Sequence, residues 1–291
     1  KELSPRMSSY FDSITNKIKK YNENRNDKKP DNLVEHVHEN SGIRMKMIRA
    51  GILKIAKEGG GHYYLFMPES YYIAETETTL SQFTSQERFD KSRNSKPWTL
   101  DEKVYQGETR CIRDRGHNNL WGNINIPGNR PVNCVSLLDA YQFINWMNQT
   151  NADNNELEYR LCSGEEWEYA ARGGKETIWH CGNKPDCLQG SVQFAENVPH
   201  ENSRVTDIAG TNGFTPNGYK IYHMAGNLAE LVELTPENKL NIYGGYYSSN
   251  RNDVKPGSNL LQKSNPSFSP EKDTRAEWIG FRVCGHAKAN K

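Results

Sequence analysis

The chain has 291 residues, 37 of them basic and 36 acidic, giving a formal net charge of +1. That balance excludes the charge footprint of a nucleic-acid binder or of a protein spread on an anionic membrane surface. No apolar run reaches the roughly eighteen residues that span a bilayer, and the length allows one large domain or two small ones with a sizeable core.

Residues 1–41 are charged and poor in apolar side chains. Tyr10, Phe11, Ile14 and Ile18 recur at helical spacing, which predicts one amphipathic helix followed by a lysine- and asparagine-rich linker. His36 and His38 read as part of a solvated loop rather than a metal pair. The start at Lys1-Glu2-Leu3 reads as a processed or trimmed terminus. The main domain is expected over 42–291. Ile52–Ile55 and Tyr63–Met67 are β-like runs around a turn at Glu58-Gly59-Gly60-Gly61, so they predict a hairpin. Tyr71–Ala74 reads as a further strand and Thr79–Phe83 as a helical turn. Residues 90–130, with isolated Trp98, Tyr105 and Trp121, read as irregular structure over the core.

Two helices have legible ends. Ser136, with Asp139 three residues on, predicts an N-cap followed by an apolar stripe of Ala140, Phe143, Ile144 and Met147. Ser163 with Glu166 forms a capping-box pattern. Trp167, Ala170 and Ala171 then face inward, and Gly173-Gly174 stops the helix. Pro216-Asn217-Gly218 reads as a turn. Strand-like pieces at Tyr219–Ile221 and Ile242–Tyr243 bracket Met224–Asn227.

The six cysteines are Cys111, Cys134, Cys162, Cys181, Cys187 and Cys284. Their even number is compatible with disulfides and an oxidising compartment. Cys181 and Cys187 flank the turn-rich Gly-Asn-Lys-Pro-Asp and are the first expected pair, with a zinc site as the alternative.

The C-terminal stretch 243–282 opens with Tyr243-Gly244-Gly245-Tyr246-Tyr247 and closes with Ile279-Gly280-Phe281-Arg282. Between these anchors lie mainly Asn, Ser, Lys, Asp, Arg and Pro. Such a filling buries too little apolar surface to offset its ordering entropy alone. Held at both ends by a scaffold, it suits a binding or catalytic surface.

Several ordered blocks resemble the formylglycine-generating enzyme (sulfatase-modifying factor) family. Glu75-Thr76-Glu77-Thr78 looks like the family's strand ahead of Phe83, and Arg130–Ser136 looks like its lead-in to a helix. The most specific block runs from Tyr159-Arg160-Leu161 through Glu165–Gly174. Pro216–Tyr219, Met224–Glu230, Gly244-Gly245 and Gly280-Phe281-Arg282 complete the set over about residues 43–284. The resemblance implies an α+β, C-type lectin-like fold with short twisted strands, two main helices and extensive irregular structure.

The family's oxidase members carry two cysteines shortly after the Gly-Gly and bind copper. Here those positions fall at or near Ser249 and Val254, so the resemblance implies no catalytic residue and no oxidase chemistry. The iron-dependent sulfoxide synthases that use this fold carry a second, histidine-bearing helical domain, and the N-terminal segment here is expected to be too short for that bundle. The family's calcium sites imply Asn227 and Glu230 as possible structural ligands, although Ala229 stands where the family carries Trp. The alternative is a turn-capping Asn227 and a solvated Glu230.

The chain is also similar to the variable proteins of diversity-generating retroelements, the treponemal type among them, which are surface lipoproteins. That likeness implies a noncatalytic protein at the cell surface or outer membrane. Its ligand would be a protein or other macromolecule, it needs no cofactor, and it meets the membrane only through a lipid anchor absent from this chain. Tyr246, Tyr247 and Trp278 would be aromatic anchors, with one of the two tyrosines outward by strand alternation. Ser248, Ser249, Arg251, Asn252, Asp253 and Glu277 would supply polar contacts. Gly244, Gly245, Gly280, Phe281 and Arg282 read as scaffold, with Arg282 paired to an internal carboxylate or carbonyls.

Two alternatives stand beside this reading. One is an enzyme of the family with unassigned chemistry, although His180, His200 and His223 fit no triad spacing. The other is a calcium-dependent lectin, although the usual sugar-binding tripeptide of that fold is missing.

Overall fold

The computed structural model describes residues 35–57, 59–85, 129–150, 157–189, 214–233, 240–250, 252–256, 274–276 and 278–288, with single residues 16, 194 and 272. The expected N-terminal helix, the irregular stretch 90–128, Arg251 and Glu277 lie outside the described residues.

Ten strands are described: β1 (Glu35–His38), β2 (Ile43–Ile48), β3 (Gly51–Ala56), β4 (His62–Met67), β5 (Tyr71–Ala74), β6 (Leu157–Leu161), β7 (Ala229–Leu231), β8 (Ile242–Tyr243), β9 (Ile279–Phe281) and β10 (Val283–Ala287). Three α-helices accompany them: α1 (Leu80–Phe83), α2 (Leu137–Thr150) and α3 (Gly164–Ala171). The main sheet runs β1-β2-β5-β10-β6, the hairpin β3-β4 stands alone, and β8-β7-β9 forms a small third sheet. All pairs are antiparallel except β7 with β9. This is the expected α+β architecture of short strands and two main helices.

The helix ends form as their residues dictate. The Ser163 hydroxyl accepts from the Glu166 amide while the Glu166 carboxylate accepts from the Ser163 amide. Ser136 and Asp139 make the same reciprocal pair at the start of α2. Phe143, Met147 and Ala140 are fully buried against Phe83, Phe281 and Leu161 in the larger of two main core clusters. The second cluster gathers Trp167, Ala170 and Ala171 of α3 with Tyr71, Ile73 and Met224.

Three local expectations are overturned. Residues 35–38 are not a loop outside the domain: β1 pairs with β2, and the domain therefore begins before residue 42. His38 is buried, with its ring nitrogens on the Ser41 hydroxyl (2.8 Å) and the Met147 carbonyl (3.2 Å). Tyr219–Ile221 form a turn closed by the Lys220 amide on the Asn217 carbonyl, not a strand. Glu75–Thr78 follow β5 as a bend and make no strand of their own.

Cys162–Cys284 and Cys181–Cys187 are disulfides, and Cys134 is disulfide-bonded as well. No described cysteine is free and no described cluster suits a metal, so the pairing, not the zinc alternative, holds for Cys181 and Cys187. No described helix is long and apolar enough to cross a membrane.

Candidate ligand-binding surface

The C-terminal segment leaves the small sheet at Tyr243 and turns on two glycines. Gly244 has φ +91°, and a Cβ there would lie 2.9 Å from the Trp167 ring, so a side chain is excluded by both backbone and space. The Gly244 carbonyl accepts from the Gly226 amide (2.7 Å), and the Tyr247 amide donates to the Asn227 carbonyl (2.9 Å). The segment is thus fastened along the Met224–Leu228 stretch rather than extending β8.

Tyr246 and Tyr247 therefore lie in a turn, where strand alternation does not govern them. Tyr246 is half-buried and stacks on Trp278 with centroids 5.2 Å apart and planes 27° apart. Tyr247 is buried and meets Tyr246 edge-on. Ser249 is buried too: its hydroxyl accepts from the Tyr246 amide and its amide donates to the Tyr246 carbonyl. Tyr247 and Ser249 are thus corrected from outward contacts to turn supports, because closing the turn draws both side chains inward. Ser248 and Asn252 are exposed, and Asp253 is partly so.

Asn250, which the sequence reading passed over, is exposed, and its Oδ1 accepts from the Asn252 and Asp253 amides. An Asn two residues ahead of another short polar residue is the available signal, since such side chains cap their own turns. The exposed side chains of the turn are thus Ser248, Asn250 and Asn252, which follow the half-buried, stacked Tyr246 within six residues.

Behind this face the segment is pinned inward. Val254 is fully buried with Trp179, Leu188, Phe194 and Ala225, and the Lys255 ammonium sits 5.7 Å above the Trp179 ring. Arg172 at the end of α3 donates to the Pro256 carbonyl and to the Thr177 and Ile178 carbonyls, tying the segment to the disulfide loop. On the returning side, Arg275 forks onto Asp139 at the start of α2.

Beneath the segment lies a buried polar cluster. Arg282 donates through Nε and Nη2 to the two oxygens of Glu230 (2.6 Å each) and to the Ala74 and Tyr222 carbonyls. The Trp167 indole donates to the same carboxylate (2.7 Å). Glu77 accepts twice from the Asn227 amide and once from the Leu228 N–H. Burial, and then the negative Glu230, push the Glu77 carboxyl upward, while Arg282 and the donated hydrogen bonds oppose this. His223 is buried beside them with φ +53° and neither ring nitrogen hydrogen-bonded; burial first and then Arg282 lower its pKa to about 4.

The sulfatase-modifying factor enzyme 1-like domain model matches residues 32–287. The chain belongs to that family. The formylglycine-generating enzyme of Mus musculus is 33% identical over 111 residues, 35% of this chain and 26% of the mouse protein. Its Bos taurus counterpart is 33% identical over 109 residues, 34% of this chain and 26% of the bovine protein. The aligned part thus spans about a quarter of either relative.

Three solved structures share the fold at low identity. PvdO from Pseudomonas aeruginosa has a TM-score of 0.60 at 16% identity, covering 87% of this chain and 97% of its own. Treponema denticola variable protein 1 has a TM-score of 0.56 at 18% identity, with 83% and 94% covered. CarF has a TM-score of 0.54 at 18% identity, with 84% and 98% covered. The architecture is therefore the C type lectin-like fold of the formylglycine-generating enzyme type.

The metals that the family implies do not fit the side chains present. Both Glu230 oxygens are taken by Arg282 and Trp167, and the Asn227 amide nitrogen is turned onto Glu77. A calcium ion at Asn227 and Glu230 would have to displace a guanidinium, so the expected ligand pair is corrected to a structural one. Glu230 is also fully buried rather than solvated. Copper(I) selects soft sulfur, and the positions at or near which the resemblance puts the two cysteines hold a buried hydroxyl closing a turn at Ser249 and a buried isopropyl group at Val254.

Proposed function

We propose that this protein is a noncatalytic binder that presents its C-terminal segment as a diversified ligand surface on a formylglycine-generating-enzyme-like scaffold. The observation that carries the reading is the half-buried Tyr246–Trp278 stack flanked by exposed Ser248, Asn250 and Asn252. Rigid amphipathic rings supply contact area at low entropic cost, and short polar side chains adapt to the partner. Buried Ser249 and Val254 support the absence of oxidase chemistry.

The partner is a protein or other macromolecule, bound without a required cofactor. The three disulfide-bonded sites support display in an oxidising compartment, at the cell surface or outer membrane, with attachment through a lipid outside this chain.

The test compares gene copies from related isolates. Substitutions concentrated at outward positions between Tyr246 and Trp278, with Tyr247, Ser249 and Val254 kept, are the expected result. An invariant segment would sink the reading. The competing reading, an enzyme, is favoured by the 33% identity to formylglycine-generating enzymes over 111 residues. Conversion of a cysteine to formylglycine in a sulfatase-type peptide, followed by mass spectrometry with copper supplied, decides it: any turnover overturns the noncatalytic proposal.

A further inference from the structure

We propose that Arg275 is the positioning residue of this surface, and that Asp139 at the start of α2 is its anchor. The inference rests on the reading of the Tyr246–Trp278 face as the binding surface. The Asp139 carboxylate gathers four donors. Oδ2 accepts from the Ser136 amide (2.8 Å), the Ser136 hydroxyl (2.9 Å) and Arg275 Nη1, and Oδ1 accepts from Arg275 Nη2 (2.8 Å). One side chain therefore closes the helix and receives the returning arm.

Both Arg275 and Asp139 are buried, so the fork is little screened and its geometry is fixed. Arg275 also reaches the Cys134 carbonyl (3.4 Å). The next residue continues the fastening: the Ala276 carbonyl accepts from the Cys134 amide (3.1 Å) and from the Ile279 amide (3.0 Å). On the far side of Trp278, its own carbonyl accepts from the Ala229 amide (2.9 Å).

Trp278 is therefore held between a tie to α2 and a tie to β7, and its ring is delivered onto Tyr246 from the other arm of the segment. The stack does not depend on apolar packing alone, because the fork sets where the arm crosses α2. Lysine at position 275 keeps the charge but lacks two parallel donors, so it holds the arm less exactly in register.

Fluorine NMR on the full chain labelled with fluorotryptophan tests this. The chain has six tryptophans, and the signal lost in Trp278→Phe is that of Trp278. In Arg275→Met, the Trp278 signal is expected to move toward the shift of free fluorotryptophan, while the other signals stay. Arg275→Lys is expected to move it less, and Asp139→Asn to move it in the same direction. Partial rescue by lysine separates positioning from a general loss of stability, which would broaden all the signals together.

An unmoved Trp278 signal in Arg275→Met overturns the proposal. If that variant fails to fold, an unmoved signal in Asp139→Asn does so. A displaced signal together with an invariant segment among gene copies would keep the positioning role and sink only the binding reading.

Discussion

Two polar groupings in the C-terminal third of the chain meet opposite fates. Asn227, Glu230 and Arg282 are fully buried, Glu230 pairing with Arg282 and Asn227 with Glu77, whereas Ser248, Asn250 and Asn252 are exposed. The interior grouping is bound by complementarity: Glu230 has Arg282 and Trp167, and Glu77 has Asn227 and the Leu228 amide. A change on one side strands a charge on the other. The outer grouping has its backbone fixed by Gly244, Arg172 and Arg275 while its side chains owe nothing to the core. Fixing the main chain from behind leaves the outer side chains free of any role in holding the core.

The contrast breaks most severely if a buried charge loses its partner. Arg282→Met leaves Glu230 and Glu77 together in the interior and is expected to cost about 3–5 kcal/mol in urea unfolding. A loss no larger than that of an exposed ion pair, under about 1 kcal/mol, would refute the interior assignment.

Replacing Cys162 and Cys284 by serine opens a link across 122 residues of sequence. The cost expected for that pair of changes is about 2–5 kcal/mol, read from the same unfolding curves. Gly244→Ala forces a Cβ against Trp167 at positive φ, and should lower stability by about 1–3 kcal/mol.

Acid tests the interior again. His38 and His223 are held neutral by burial, each with its pKa lowered to about 4 from an ordinary 6.5. A histidine depressed in the fold favours folding above its unfolded value. Stability is therefore expected to fall as the pH drops from about 6.5 toward about 4, by on the order of 1–3 kcal/mol per histidine. Glu77, raised in the fold, acts in the opposite sense and loses its contribution as the pH climbs above the ordinary carboxylate range. Thermal melts from pH 4 to pH 7 of the parent and of a His38→Gln, His223→Gln double variant check the acid limb, since Glu77 contributes to both; an unchanged pH profile in the variant would mean that the two rings are not buried neutral. At the small end, Ser248→Ala and Asn252→Ala should shift stability by no more than about 0.5 kcal/mol, since nothing in the core leans on them.

Much of the scaffold could be read from local chemistry. Ser136 with Asp139 and Ser163 with Glu166 mark helix starts because a cap needs only residues three apart. The hairpin β3-β4 follows from glycines between two β-rich runs. Arg282 was legible as an internal partner, but its carboxylate stands 52 residues away, so Glu230 looked equally suited to calcium.

His36-Val37-His38 is too short and polar to signal a strand, and only pairing with β2 makes it one. Tyr247 and Ser249 looked like surface residues because their type fits a paratope. Their burial comes from a turn closed by hydrogen bonds between Tyr246 and Ser249, which no periodicity reports. Arg275 carried no signal at all, since its meaning depends on Asp139, 136 positions earlier.

The position of β10 has a consequence for the order in which the domain can close. This strand is the last of the described elements, yet it sits between β5 and β6 and completes the five-stranded sheet. Until it is synthesised, those two strands are open edges prone to wrong pairing. A chain cut short anywhere between Gly245 and Trp278 loses β10 with it. Truncation after Trp278 should accordingly give insoluble protein, and a soluble product would refute the point. The ribosome must read through residues 243–282 before the domain can close, so a prematurely ended chain cannot complete its main sheet.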